Sequence, residues 1–488
     1  MSSRLDLLKR ITSALIAALA GMVLLAGCAV GPDYRFPDQP MPGQWKGPAA
    51  ADKTGAVDPQ ALAEWWKSLN DPVLTRLVER AVADNLDLKK AWARVKEVKA
   101  RRGVALADLA PTLSASGSTT TSQSSKATGS GQKRDLISTG LDVSWEIDLF
   151  GGARRSIEAA QADYEAAREN LNDVLVSLAA EMAANYVQLR TYQQRLAVAR
   201  QNLEIQAETL QLTALRYETG LSSGLDLERA KYNLESTRSQ VPSIEAKQEE
   251  AKNRLAVLLG EWPGSLDAEL SRPSPIPQAE LTMTIGLPAE LLRRRPDLRQ
   301  AERELAAQTA RVGVAKAEMY PKLTLKGSLG WEALALEGLI SPAHLATSLG
   351  ASLLWKVFQA GAVRENIKVQ NALQEQALFK YEAAVLTALE ETENALMSLA
   401  REEERRRSLA EAARASEVAV GLALKQYEAG LVDFQSVLDT QKSQASFQDN
   451  LAESEGLMTQ NLISLYKALG GGWPREEPSA QTDQAGLK

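Results

Sequence analysis

Residues 140–152 read "GLDVSWEIDLFGG". Leu141, Val143, Trp145, Ile147 and Leu149 alternate with Asp142, Ser144, Glu146 and Asp148, the two-residue period of a strand with one apolar and one polar face. The residues that follow read as long polar helix. No sandwich or ordinary barrel core within the chain is in sight to receive the apolar face, and the fold turns on what that face meets.

The 488-residue chain is rich in Ala, Leu, Glu, Gln and Arg, and only 5% of it is aromatic, a balance that favours helices over a compact aromatic core. A net charge of -6 gives no clustered basic surface of the kind that would bind nucleic acid. At the N-terminus Arg4, Lys9 and Arg10 precede an apolar run, Ile11 to Ala26, that ends in "LAGC", Leu25 to Cys28. A basic start, a short apolar stretch and small residues describe a secretory signal peptide over 1–27. A plain membrane anchor is the alternative, and the immediate change to Gly, Pro and Asp after Cys28 speaks against it.

Beyond a tether over 28–70, rich in Pro, Gly and Asp at its start, the chain repeats itself. Gly103, Val104, Ala105, Ala107, Pro111, Leu113 and Gly117 fall 210 positions before Gly313, Val314, Ala315, Ala317, Pro321, Leu323 and Gly327. The same offset places Trp145 on Trp355, Gly151 on Gly361, Arg154 on Arg364, and "YETGL" from Tyr217 on "YEAGL" from Tyr427. The chain is therefore a tandem duplication, with one repeat over 71–280, a second over 281–470 and a tail over 471–488.

Each repeat has the same expected plan. A helix, about 72–108 or 289–318, ends at a proline that opens a first strand, "PTLSASGSTTT" or "PKLTLKGSLGW". A second strand, "LDVSWEIDLF" or "LGASLLWKVF", follows a turn-rich loop. "GGARR" or "AGAVR" then starts a very long helix. In the first repeat it runs from Arg154 to Thr219 without a proline, about 66 residues or roughly 100 Å. Leu175, Met182, Leu189, Leu196, Leu203, Leu210 and Tyr217 recur every seven residues along it, a coiled-coil spacing that requires lengthwise packing on neighbours. It turns at Gly220 to Gly224, and a partner helix returns to about Leu259; Gly430 starts the equivalent turn.

Four strands per chain cannot close a sheet, and lipid does not tolerate an open edge. Strands from several chains must combine. Two chains give eight strands, whose interior fills with side chains, whereas three give twelve and leave a conduit. A homotrimer is expected.

The motifs "VGPDY" after Cys28, "NLDLKKAW" at Asn85, "WEIDLFGGARR" at Trp145, "LLRRRPDLRQAE" at Leu291 and the two "YExG" turns resemble the outer membrane factor family, the TolC-like channels, and within it the lipoprotein (NodT/OprM-like) branch that serves resistance-nodulation-division efflux pumps. The resemblance implies a mostly helical, tandem-duplicated TolC-like fold, with a twelve-stranded transmembrane barrel shared by three chains and a periplasmic helical barrel. It also implies an outer membrane location and partnership with a periplasmic adaptor and an inner membrane transporter. The sequence "LAGC" likewise resembles a lipobox, which implies acylation of Cys28 after cleavage; several acyl chains anchor stably, each buried methylene adding about 0.8 kcal/mol. Ala29 rather than Asp follows, as in lipoproteins sent to the outer membrane.

In that family the inward end of the tunnel is narrowed near the second helix turn by a ring that includes aspartate. The resemblance carries this role onto Asp439 of "YEAGLVDFQSVLD", with Asp433 nearby and Asp226 at the first turn. Ser436 stands where some relatives have a further Asp, and a surface carboxylate is the plain alternative. Gly220, Leu221, Gly430 and Leu431 at the turns are the expected adaptor contacts. No catalytic constellation is legible: His344 is the only histidine and Cys28 the only cysteine, so no cofactor or transition metal is expected. Pro296 and Asp297 of "RRPD" read as a helix start. A protein-secretion channel (type I) and a pore-less coiled-coil envelope scaffold are the rival functions; the apolar strands argue against the scaffold.

Overall fold

The computed structural model describes residues 29–46, 58–278, 288–289 and 294–474. The signal peptide, Cys28, much of the tether and the tail from 475 onwards lie outside the described residues. The described elements are helices α1 (Pro59–Ala63), α2 (Pro72–Asp84) and α3 (Leu86–Ala107), strands β1 (Thr112–Gln123) and β2 (Lys133–Ile147), and helices α4 (Gly152–Glu218), α5 (Gly224–Leu258) and α6 (Asp267–Leu270). The second repeat supplies α7 (Pro296–Ala317), β3 (Lys322–Ala333), β4 (Leu345–Leu354), α8 (Ala362–Glu428) and α9 (Phe434–Ala468). Both α4 and α8 have 67 residues, and both α5 and α9 have 35, so the duplication is kept to the residue.

Two boundaries differ from the sequence expectation. The single helix expected over 72–108 is two helices, because Asn85 leaves the helical path and its side-chain carbonyl accepts from Leu88 N at 2.9 Å, capping α3. The second strand of each repeat begins earlier and stops at Ile147 or Leu354. Beyond those residues no neighbouring strand continues the ladder, so the alternation at Asp148 and Leu149 lies outside the sheet.

The chain divides into two compact units, each drawing on both repeats. The first contains residues 29–38, 94–168 and 300–382. Its four strands form one antiparallel sheet in the order β1-β2-β3-β4, with the two repeats joined by β2 and β3, Leu141 opposite Leu329. Gly140 faces Gly330 in that register, and a Cβ on Gly330 would lie 2.4 Å from Thr139 O, so glycine is what lets the two backbones approach. Strands β1 and β4 are the unpaired edges.

Also in this unit, α7 lies between α4 and α8. On one side Arg311 bonds Asp163 at 2.5 Å and Ala162 packs on Ala306 and Ala307; on the other Gln308 bonds Gln370 at 2.8 Å and Lys380 bonds Glu304 at 2.6 Å. The expected helix start at Pro296 holds, with Asp297 accepting from Leu298 N at 2.9 Å.

The second unit contains the described residues of 39–93, 169–299 and 383–474. Its core gathers Leu74, Leu77, Val78 and Ala81 of α2, Met182, Tyr186 and Leu189 of α4, and Trp65 stacked on Tyr466 at 5.1 Å. Each repeat closes by the same bond: the Asn85 amide donates to Leu258 O at 2.9 Å, and Arg295, its counterpart, donates to Ala468 O at 3.1 Å.

Helices α4 and α9 are zipped by polar pairs: Gln460 with Gln188 at 2.6 Å, Arg195 with Asp449 at 2.8 Å, Asn202 with Gln448 at 3.2 Å and Gln441 with Thr209 at 2.7 Å. The heptad expectation for α4 holds only in its middle. Met182, Leu189 and Leu196 are buried, but beyond Leu196 the buried line passes to Ala199, Asn202, Gln206, Thr209 and Thr213, while Leu203 and Leu210 are half-buried and Tyr217 is exposed. The spacing remains that of a coiled coil; the residues on the seam are polar.

Candidate functional site: channel wall, helix turns and N-terminal strap

The sheet separates its faces as the alternation requires. Leu141, Val143, Trp145, Leu329, Leu349 and Leu353 share one side and are all exposed, an apolar face that the described residues leave uncovered. Higher on the same side Thr121 bonds Asp135 at 2.5 Å, which ends the apolar band near Ile137. From Ile137 to Ile147 a strand rises roughly 33 Å, or about 25 Å at the ~40° tilt of membrane barrels, the height of their apolar belt.

The opposite face carries hydroxyls and charges: Ser116 with Asp142 at 2.7 Å, Ser328 with Ser348 at 2.7 Å, and Lys322 with Glu318 at 2.7 Å. At the strand ends the Trp145 and Trp355 indoles donate to Leu109 O at 2.9 Å and Met319 O at 3.0 Å. This doubled bond fixes two amphipathic rings at the border of the apolar band, where such rings favour a membrane interface. Sequence reading places Trp145 on the apolar face and pairs it with Trp355 by the shared offset, but does not give these bonds.

The two helix turns are built alike. Gly220 and Gly430 take φ of 73° and 72°, Leu221 N donates back to Arg216 O at 2.7 Å, and Leu431 N to Gln426 O at 2.9 Å. This helix ending needs a left-handed residue, supplied by glycine. Leu221 and Leu431, 67% and 75% exposed, then project from the turns. The turns are held on one apolar knot of Ala230, Ala423, Tyr427, Phe434, Val437 and Leu438, against which Leu210 and Leu212 pack.

Asp226 and Asp433 both serve the helix starts after the turns. Ser223 and Asp226 form a reciprocal capping box on α5; Asp433 caps α9, accepting from Ser436 N at 3.1 Å and Ser436 Oγ at 2.8 Å. The Ser436 hydroxyl, then its N–H, hold the Asp433 carboxyl below the usual carboxylate range. Asp439 is exposed, and Gln435 donates to it at 2.8 Å. It edges an open cavity of about 420 Å³ between α8 and α9, lined by Ala412, Ala415, Ser416 and Ala419 on one side and Thr440, Ser443 and Phe447 on the other. His344 closes a short 3-10 turn, its ring nitrogen 2.9 Å from Gly338 O.

Cys28, the expected lipidation residue, lies outside the described residues, but the strap that follows it is placed. Val30 N donates to Phe150 O at 3.0 Å, Arg155 reaches Asp33 at 2.6 Å, and Gly31 sits so close to Gly313 that a Cβ would lie 2.4 Å from its Cα. Tyr34 bonds Glu302. The motif "VGPDY" is thus read as a fitted strap, with Gly31 required at the closest approach. Among the described residues no group of three His, Cys, Asp or Glu side chains is placed to hold a metal ion, and no helix is long and apolar enough to cross a membrane.

A sheet with one uncovered apolar face and long paired helices with capped turns, all duplicated at one offset, define the TolC-like class of outer membrane channel. The sequence model for "Outer membrane efflux protein" matches residues 77–261 and 287–471, the two repeats. The chain belongs to that family and is an outer membrane efflux protein extending into the periplasm. It is 32% identical to nodulation protein T of Rhizobium leguminosarum bv. trifolii, over 92% of this chain and 96% of that one. It is 31% identical to the pyoverdine export outer membrane protein OpmQ of Pseudomonas aeruginosa, over 97% and 98%. The structure of the outer-membrane channel OprN superposes with a TM-score of 0.86 at 39% identity, covering 92% of this chain and all of that one.

Proposed function

We propose that the chain is the passive exit duct of a tripartite efflux pump, working as a homotrimer. Small toxic molecules would be delivered to it by an inner membrane transporter of the resistance-nodulation-division type through a periplasmic adaptor. The observation that carries this reading is the open four-stranded sheet with one uncovered apolar face and one polar face, which is stable in lipid only as part of a closed barrel with the apolar face on lipid and the polar face on the lumen. Relatives named for pyoverdine export and for toluene efflux support a cargo of small molecules. The exposed Leu221 and Leu431 at the two turns are the adaptor contacts in this reading, Cys28 carries the lipid, and Asp439 narrows the periplasmic end. Energy would come from the transporter. The test is native mass measurement in detergent followed by conductance in planar bilayers: a three-chain particle that conducts supports the duct, and a single chain or a non-conducting particle sinks it.

A further inference from the structure

The side-chain oxygens that line the open cavity between α8 and α9 can only accept. Ser416, only 7% exposed, donates its hydroxyl proton to Ala413 O at 2.8 Å; Thr440 Oγ1 donates to Val437 O at 2.9 Å, and Ser443 Oγ to Asp439 O at 2.8 Å. Each proton is held by a carbonyl of its own helix, so only lone pairs are left for a guest. Asp439 adds a carboxylate. It accepts from the neutral Gln435 amide and has no cation within ion-pair distance among the described residues. The cations beside the lining residues in sequence are engaged elsewhere: Lys442 lies 5.2 Å from the Tyr232 ring, and Arg414 pairs with Glu411 at 3.1 Å.

Between these oxygens the walls are apolar, made by the methyls of Ala412, Ala415 and Ala419 on α8 and the half-buried Phe447 ring on α9. The hollow is particular to the second repeat. At the places 210 earlier stand Asn202, Ile205, Gln206 and Thr209, each larger than its counterpart Ala412, Ala415, Ser416 or Ala419. Arg229 stands in place of Asp439, 3.7 Å from Asp226. One repeat thus sets a paired cation where the other sets a carboxylate beside an empty volume. That volume, about 420 Å³, falls in the range of small-molecule sites, roughly 300–1,000 Å³.

We propose that this hollow is a cargo subsite for protonated amines that carry an apolar body. The ammonium donates to the Asp439 carboxylate, further N–H groups meet the hydroxyl oxygens, and the body lies on the alanines and Phe447. A carboxylate guest would set acceptor against acceptor and charge against like charge. Its role in cargo passage rests on the duct reading under Proposed function, whereas the preference for amines rests on the lining alone.

Three probes sharing one ring system test the site on the full-length protein in detergent: dansylcadaverine with its primary amine, dansylamide without charge, and dansylglycine with its carboxylate. Titrations followed by fluorescence anisotropy should show saturable binding of the amine, roughly tenfold or more tighter than the carboxylate, as one charge-assisted hydrogen bond provides. Asp439→Asn should erase that preference while the ring system still binds. Ala415→Leu, which fills the hollow, should weaken all three probes together. Both variants are compared as particles whose native mass matches the wild type. Equal binding of amine and carboxylate by the wild-type protein overturns the subsite by itself, whatever the variants do. So does an amine preference that survives Asp439→Asn; in a particle that conducts, either result leaves the duct standing. A particle that binds the amine but does not conduct removes the cargo role together with the duct.

Discussion

Asp433 and Asp439 are held differently at the start of α9, and they should respond differently to change. The Asp433 carboxyl is depressed by its bonds to Ser436, so the cap stabilises the helix start above the unfolded carboxylate value of about 4 and loses that contribution as pH falls through the lower folded value. Hydrogen exchange at Ser436 and Val437 should accelerate in that acid window, and Asp433→Asn should remove the pH dependence. Asp439 is exposed and accepts only from Gln435 on its own helix, and in the proposed reading it faces the lumen. Three copies around an axis would form an anionic ring that attracts cations, so Asp439→Ala should weaken block by polyvalent cations added on the periplasmic side. Glu390, exposed on α8, is the control; Asp163 would not serve, because Arg311 engages it. Identical block in single-channel records of the two variants would make Asp439 an ordinary surface carboxylate. On the sheet, Val143→Arg should cost roughly 2–4 kcal/mol of insertion if the site is near the midplane, whereas Ser144→Arg, on the other face, should be mild. Equal loss of assembled protein for both would reverse the assignment of faces.

Among the elements, the repeated parts were the readable ones, because an offset of 210 that aligns Gly103 with Gly313 and Trp145 with Trp355 is independent of local propensity. The strand faces and the turns at Gly220 and Gly430 followed from alternation and from the glycine each turn needs. What escaped was decided by neighbours. Asp148 and Leu149 continue the alternation but have no strand beside them, and the leucine heptad of α4 gives up the seam beyond Leu196 to Asn202, Gln206, Thr209 and Thr213. The pattern shows a period of seven without saying which of its columns faces α9. A polar seam has a measurable signature. Replacing Thr209 with Val keeps its shape and leaves the buried Gln441 amide without its partner, at a cost of about 1–3 kcal/mol. Thr219→Val, on the exposed turn, should shift thermal unfolding little, and equal shifts would show that the seam is not sustained by this bond.

For the whole molecule, the strap ties the proposed lipid site to the fold. Ala29 lies against Gly151, where a Cβ would meet it at 2.6 Å, so the residue after Cys28 is fixed at the foot of β2, beside the membrane band. Mass spectrometry of the membrane-extracted N-terminal peptide should find Cys28 as the first residue with acyl chains attached; an intact Met1 or an unmodified cysteine would refute it. The strap was legible only as a motif, since nothing in "VGPDY" says that its dock includes residues near 313. That separation bears on the order of events in biogenesis. Gly31 leaves the ribosome long before Gly313, which forms half of its berth, so it cannot be seated until the second repeat has begun to emerge. Contacts so distant in sequence form late, after the large loop between them has been closed. A chain tethered by lipid at Cys28 would therefore wait at the membrane surface with its strap unberthed, and a segment synthesised before either repeat would be among the last to lock.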